Sequence, residues 1–176
     1  MKKAGLIILL IAAIAGLSFA FTGSGKAEES ANTSYLRVHI RANSNGADDQ
    51  AVKYKVRDKV VEFLTPTVAD CETKGEAIEK ISSKLSEIEA VADQVLRANG
   101  YTYGARASIR KEEFPTRVYE EVTLEAGVYD ALILELGTGT GDNWWCVVYP
   151  PLCFTSGNGN IIYKSKIAEI IQKFFG

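Results

Sequence analysis

The chain reads as an α+β domain: a mainly antiparallel sheet of about four to five strands with three helices, in the order β-α-α-β-β-β-β-α. Three observations predict this class. Apolar residues recur at three- and four-residue steps between positions 47 and 99, the period of helices. On either side of that block the period falls to two, the period of half-buried strands. Strands are grouped after the helices rather than alternating with them, which disfavours a parallel doubly wound sheet.

The first strand is Tyr35 to Arg41, with Leu36, Val38 and Ile40 on one face and Arg37, His39 and Arg41 on the other. Asn43-Ser44-Asn45-Gly46 turns the chain, and Asp48 and Asp49 suit the positive end of a following helix. That helix is predicted to run to about Leu64, with Val52, Val56, Val60 and Phe63 as its apolar stripe, and Pro66 is expected to stop it. Thr73-Lys74-Gly75-Glu76 is a capping-box pattern that opens one long helix carrying Ile78, Ile81, Leu85, Ile88, Val91, Val95 and Leu96. Its stripe is close to a heptad but too short to make a coiled coil the better reading than packing on a sheet. Asn99-Gly100 closes it.

From Tyr101 to Arg110 the residues alternate again, up to an interruption at Phe114-Pro115. Val118 to Leu124 and Tyr129 to Leu136 predict two further strands, joined through Glu125-Ala126-Gly127. The glycine run 137–141 leads into a strand containing Trp144 and Trp145, so it reads as a hairpin connection. It lacks the Gly-Lys-Ser/Thr ending of a phosphate loop. A last helix is predicted at about Ile161 to Phe174.

The beginning of the 176-residue chain has a different character. Lys2-Lys3 precede an uncharged apolar stretch, Ala4 to Phe21, and Ser18-Phe19-Ala20 is a small-x-small sequence. This is the pattern of a secretory signal cleaved after Ala20, and the stretch is also just long enough to stay as an N-terminal membrane anchor. Residues 1–20 are therefore read as signal peptide or anchor, 21–34 as a flexible polar spacer, and 35–176 as a single extracytoplasmic domain. A formal charge of −2, with no basic run, gives no footprint for nucleic acid.

Export makes the cysteines meaningful. Cys146 and Cys153 flank Pro150-Pro151; fully extended, the chain would hold them roughly 23 Å apart. A disulfide requires Cα atoms within about 4.4–6.8 Å, so a bridge demands the reversal that two prolines favour. Such a bridge would stabilise the fold by about 2.5 kcal/mol on the chain-entropy estimate. Cys71 is left over, and a lone His39 beside a Cys-x6-Cys spacing is a poor zinc set.

Candidate chemistry is sparse. His39 is the one conventional neutral-pH base, but no Gly-x-Ser-x-Gly elbow accompanies it, and its strand face otherwise reads as solvated. Asp48-Asp49 and Glu112-Glu113 are paired carboxylates without a calcium-loop pattern. Trp144 and Trp145 point to opposite faces of a strand, one expected to be buried and one partly exposed. No catalytic residue, metal site or cofactor site is assigned. An exported hydrolase using His39 and a non-catalytic adhesion module stand as alternatives.

Several segments together resemble the stage II sporulation protein R family. They are Val38-His39-Ile40-Arg41-Ala42-Asn43-Ser44, Asp49-Gln50-Ala51, Lys55-Val56-Arg57-Asp58, Phe114-Pro115-Thr116, Leu124-Glu125-Ala126-Gly127, Tyr129-Asp130-Ala131-Leu132, and above all Asn143 to Phe154. Glu125 and Arg41 depart from the pattern, where a proline and an apolar residue are more usual. The resemblance implies a protein made in the forespore, exported into the space between the septal membranes, and sensed by a membrane-embedded aspartic protease of the mother cell. That protease removes the pro-sequence of sigma factor E. It implies a signalling ligand rather than an enzyme. The residues that would meet the partner are then Arg37, His39, Arg41, Asn43, Asp49, Trp144 and Trp145.

Overall fold

The computed structural model describes residues 34–119 and 122–152. The N-terminal apolar segment, nearly all of the spacer, Cys153 and the expected last helix lie outside the described residues. Within them the order is β1 (Leu36–Arg41), α1 (Ala47–Val68), α2 (Lys74–Ser82), α3 (Leu85–Ala98), β2 (Ala105–Phe114), β3 (Arg117–Tyr119), β4 (Val122–Leu124), β5 (Gly127–Leu136) and β6 (Asn143–Tyr149). The α+β class stands. The four-stranded sheet has the order β2-β5-β1-β6, and β3 and β4 form a separate two-stranded ribbon.

The sheet is mixed. β1 pairs in parallel with β5, Val38 opposite Leu132, while β1–β6 and β2–β5 are antiparallel. The parallel pair forms because α1–α3 and β2–β4 intervene between β1 and β5, long enough for the chain to return to the same end of the sheet. The glycine run is correspondingly not a hairpin. β1 lies between β5 and β6, so residues 137–142 cross the end of β1. There Gly141 N–H donates to Ala42 O at 2.8 Å. Gly137 has φ of +57°, and a Cβ on it would strike the Asn43 side chain; one on Gly141 would strike the Ser44 carbonyl. These glycines serve close passage over the turn after β1.

The helices depart from expectation in two places. Pro66 does not end α1, which continues to Val68. Val52, Val56, Val60, Leu64 and Val68 are all buried at a four-residue step, so the last turn is held by its packing although proline removes one backbone bond. Thr65 and Thr67 hydroxyls donate to the carbonyls of Val61 and Phe63 around the proline. The predicted long second helix is divided at Ser83-Lys84 into α2 and α3. Ser83 Oγ donates back to Lys80 O at 2.8 Å, a bond that competes with helix continuation. The break resets the rotation, so Ala77 and Ile81 on one side and Ile88, Ala92 and Leu96 on the other all reach the core.

The caps behave as read. Glu76 N–H donates to Thr73 Oγ1 at 3.2 Å, and Glu76 Oε2 accepts from Glu72 N–H at 2.8 Å. Gly100, at φ 84°, closes α3.

The helices bury one face of the sheet, formed by Leu36, Val38, Ile40, Leu132, Leu134, Leu136, Cys146 and Val148. α3 also blunts the open edge of β2, because Asp93 and Glu89 accept from Ala105 N–H at 2.7 Å and Ala107 N–H at 2.8 Å. The segment predicted as a single strand from Val118 to Leu124 is instead β3 and β4, paired Arg117 with Leu124 and Tyr119 with Val122. On the opposite, outer face a second cluster gathers Phe114, Tyr129, Ala131 and Ile133.

Gly137→Ala should destabilise the domain by about 1–3 kcal/mol, from the positive φ and the collision with Asn43. Urea unfolding monitored by tryptophan fluorescence reads this as a lowered midpoint at unchanged slope.

Candidate functional site: a buried polar network on the outer sheet face

The alternation of β1 places Arg37, His39 and Arg41 on one face, as the residues predict, but that face is not solvated. Arg37 is 0% and His39 4% exposed. The reason lies in β2 and β5. Their ten-residue pairing runs past the end of β1, which meets only Asp130 to Glu135 of β5. A long two-stranded ribbon twists strongly, and here its far end returns over the outer face. Thus Glu112 and Phe114, near the end of β2, touch β1 side chains that the flat register would leave well apart.

The polar half of this face is closed by ion pairs. His39 Nδ1 lies 2.6 Å from Glu112 Oε1, and its Nε2 lies 2.7 Å from Asn143 Oδ1. Arg41 donates to the same Glu112 oxygen at 2.6 Å and to Glu135 Oε1 at 2.9 Å. Arg110 adds contacts to both carboxylates, at 3.3 Å to Glu112 and 3.1 Å to Glu135. Burial by itself would raise the Glu112 pKa, but the hydrogen bonds and charges of His39 and Arg41 outweigh it and hold the carboxyl below its ordinary value. Trp145 covers His39 with ring centroids 5.4 Å apart, and Phe114 meets the imidazole edge-on at 5.9 Å.

The His39–Glu112 pair has the orientation of a general base held by a carboxylate. Both ring nitrogens are engaged, however, and a ring so enclosed offers no approach to a substrate hydroxyl. This arrangement orients and rigidifies β1 against β2 and β6.

The aromatic half surrounds Arg37. Its guanidinium carbon sits 4.2 Å from the Phe114 ring centre, 4.8 Å from Tyr129 and 5.7 Å from Tyr119. Nη2 donates to Tyr119 Oη at 2.7 Å. Arg117, on the same short ribbon as Tyr119, stacks on Trp145 at 4.5 Å.

The other candidates separate. Asn43 and Asp49 meet in the turn after β1, where Asn43 Nδ2, Ser44 Oγ and Tyr103 Oη all donate to the Asp49 carboxylate at 2.9, 2.6 and 2.6 Å. Burial tends to raise the Asp49 pKa, and the bonds from Ser44, Tyr103 and Asn43 override it and lower it. Asn43 Oδ1 accepts from Thr138 N–H at 3.0 Å, so the turn clamps the crossing connection. Both residues thus have full structural work. Trp144 and Trp145 do point to opposite faces, yet neither is fully buried. Both are half-covered, Trp144 against the helix-side core and Trp145 against the outer cluster, because β6 is an edge strand. Cys146 is buried on the helix side, and Cys71 is a buried free thiol whose pKa burial pushes up.

Glu135, Arg110, Phe114, Tyr119 and Tyr129 were not singled out by sequence. Glu135 and Tyr119 bond β1 arginines 94 and 82 residues away in the chain, and Arg110 joins through Glu112 and Glu135, so only the tertiary fold brings these side chains together. Among the described residues no group of three or more His, Cys, Asp or Glu side chains could hold a metal ion. Among the same residues no helix is long and apolar enough to cross a membrane.

Fold and site define an α+β domain whose mixed sheet carries a helix layer on one face and a buried cationic and aromatic network on the other. The family model for stage II sporulation protein R matches residues 32–158. The chain is also 36% identical over 184 aligned positions to the stage II sporulation protein R of Bacillus subtilis (strain 168), covering 98% of this chain and 81% of the relative. No solved structure matches. The chain belongs to the stage II sporulation protein R family, and membership implies a role in sporulation.

Glu112→Gln should cost about 1–3 kcal/mol at pH 7, since it weakens the bonds to His39 and Arg41 in a mostly buried setting. A depressed folded-state pKa contributes stability that is present above the unfolded value, near 4.3, and is lost as pH falls through the folded value. The gap between wild type and variant should therefore shrink below about pH 4 in denaturant titrations. A gap that stays constant down to pH 2 would show that the carboxylate does not act through its charge.

Proposed function

We propose that this protein is an exported signalling protein of sporulation that activates the mother-cell membrane aspartic protease processing pro-sigma factor E. The observation that carries the reading is family membership along the whole domain, with 36% identity to the Bacillus subtilis protein. The apolar segment Ala4 to Phe21 behind Lys2-Lys3 supports passage across the forespore membrane, by cleavage after Ala20 or by retention as an anchor. Residues 21–34 then act as a spacer and 35–176 as the signalling domain in the septal intermembrane space.

Activation of this kind works by differential affinity: the ligand binds the active arrangement of the protease more tightly than the inactive one. The outer face and the β6 edge are the surface best suited to that contact. Asn143 is exposed there and Trp145 half-exposed, over a rigid floor of His39, Arg41 and Glu112. Asn43 and Asp49 support this surface by fixing the end of β1.

Co-expression in a non-sporulating bacterium tests the function. Pro-sigma factor E and the protease should yield mature sigma factor only when this chain is present and exported. With all three proteins correctly located, an unchanged precursor-to-mature ratio would remove the reading.

An oxidising compartment also suits a Cys146–Cys153 bridge, which we include in the proposal and which leaves Cys71 as the free thiol. Replacing both Cys146 and Cys153 by Ser should lower stability by about 2–4 kcal/mol. Two titratable thiols in the oxidised native protein, besides Cys71, would argue against the bridge.

A further inference from the structure

The four-stranded sheet ends on one side at β2, and the second half of that edge is open. The N–H groups of Ala105 and Ala107 point away from β5 and are taken by Asp93 and Glu89 of α3. Backbone direction alternates along a strand, so Ile109, Lys111 and Glu113 point outward as well. Among the described residues nothing bonds the outward backbone groups of these three. The β2–β5 register runs without a bulge from Ala105 to Phe114, so the open part keeps a geometry that another strand can join. It also faces solvent: the Lys111 side chain is 72% exposed, and Glu113 is exposed beside it.

Such an edge is a template for pairing, and a lysine in its middle is the usual guard against it. Here the order of charges cancels the guard for one occupant. Arg110-Lys111-Glu112-Glu113 sets two cations before two anions. Laid antiparallel on a second copy of itself, the cationic half faces the anionic half, whereas a parallel copy would set like on like. Glu113 has no ion-pair partner among the described residues. Lys111 meets Asp130 at 3.1 Å, and its ammonium keeps further donors for a second carboxylate.

Outward residues pair only with outward residues, which limits the register. Lys111 opposite Lys111 of the second copy sets like charges face to face. Ile109 opposite Lys111 draws in Ala107, whose N–H Glu89 already holds, and sets Arg110 against Arg110. Lys111 opposite Glu113 places opposite charges face to face on both sides of a two-fold axis, and each pair exchanges both backbone bonds. Glu112 then lies on the axis with its carboxylate turned away, toward His39 and Arg41. Pro115, which has no N–H, bounds the pairing at one end, and the capped Ala107 bounds it at the other.

We propose that this chain forms an antiparallel homodimer through the open edge of β2, Lys111 of each copy facing Glu113 of the other, so that two four-stranded sheets become one. The argument is the self-complementary charge of the only part of this edge that α3 leaves uncapped. It does not rest on the function proposed above.

The test co-expresses two differently tagged forms of the full, exported chain, one with Lys111→Cys and the other with Glu113→Cys. The Cα atoms of a hydrogen-bonded antiparallel pair lie about 5.5 Å apart, within the span of a disulfide. Oxidation should link the two tags at least tenfold above the wild-type chain, whose own cysteines set the background. Two chains that both carry Lys111→Cys should stay at background, because the register holds those positions apart. In the full chain held in detergent micelles, Lys111→Glu and Glu113→Lys should each weaken self-association about tenfold by sedimentation equilibrium. The double reversal, Lys111→Glu with Glu113→Lys, should restore it. Both side chains are exposed, so these variants keep the fold.

An absence of cross-link above background, equal linking of two Lys111→Cys chains, or a double reversal no better than either single one would overturn the dimer. A cross-link to a different protein in place of a second copy would assign the edge to that partner's strand and overturn it too.

Discussion

Burial of β1 on both faces is the constraint from which the rest of the structure follows. A strand paired on both sides, with β5 in parallel and β6 antiparallel, is satisfied along its backbone. Its side chains present two different problems. Leu36, Val38 and Ile40 need only an apolar layer, which α1 to α3 supply. Arg37, His39 and Arg41 need partners, since a buried charge without one is among the most expensive features a fold can carry. The coil of β2 and β5, and the hairpin between them, are the means by which those partners arrive.

The three basic residues are treated unequally. Arg41 and His39 share Glu112, with Glu135 and Arg110 extending the network, so positive and negative charges balance over a few ångströms. At such separations in a partly buried site the attraction amounts to about 4 kcal/mol per pair before desolvation is counted. Arg37 receives rings and one phenol instead. The network is thus held by ion pairs at one end and by aromatic rings at the other. The turn after β1 adds to the rigidity, because Asn43 and Asp49 bind the start of α1, Tyr103 and the β5–β6 crossing into one knot.

Much of the local structure was legible in particular residues. Thr73 and Glu76 announced a helix start, Asn99-Gly100 its end, and the alternation in Leu36 to Arg41 the division of faces. Elsewhere local rules lost to packing. Pro66 removes a backbone bond, but Val68 gains burial that outweighs it, and α1 runs on. The stripe from Ile78 to Leu96 looked continuous because a break at Ser83-Lys84 preserves which residues face inward while changing the path of the backbone. Glycine at 137–141 was correctly taken as structural, yet as the wrong structure: nothing local tells whether a connection returns to its neighbour or passes over a third strand.

By itself the amino-acid sequence determined the α+β class, the helix caps, the faces of β1 and, through the run from Asn143 to Phe154, the family. These depend on interactions within a few residues, or on motif identity, and period and spacing record both. Only the tertiary structure decided that β1 and β5 run in parallel, that His39 is enclosed, that Glu112 is its partner 73 residues away, and that Arg37 is buried among aromatic rings. Each is set by how a twisted ribbon coils over a neighbouring strand. That geometry arises from the sum of many small backbone rotations and the burial they permit, so no short stretch of residues encodes it.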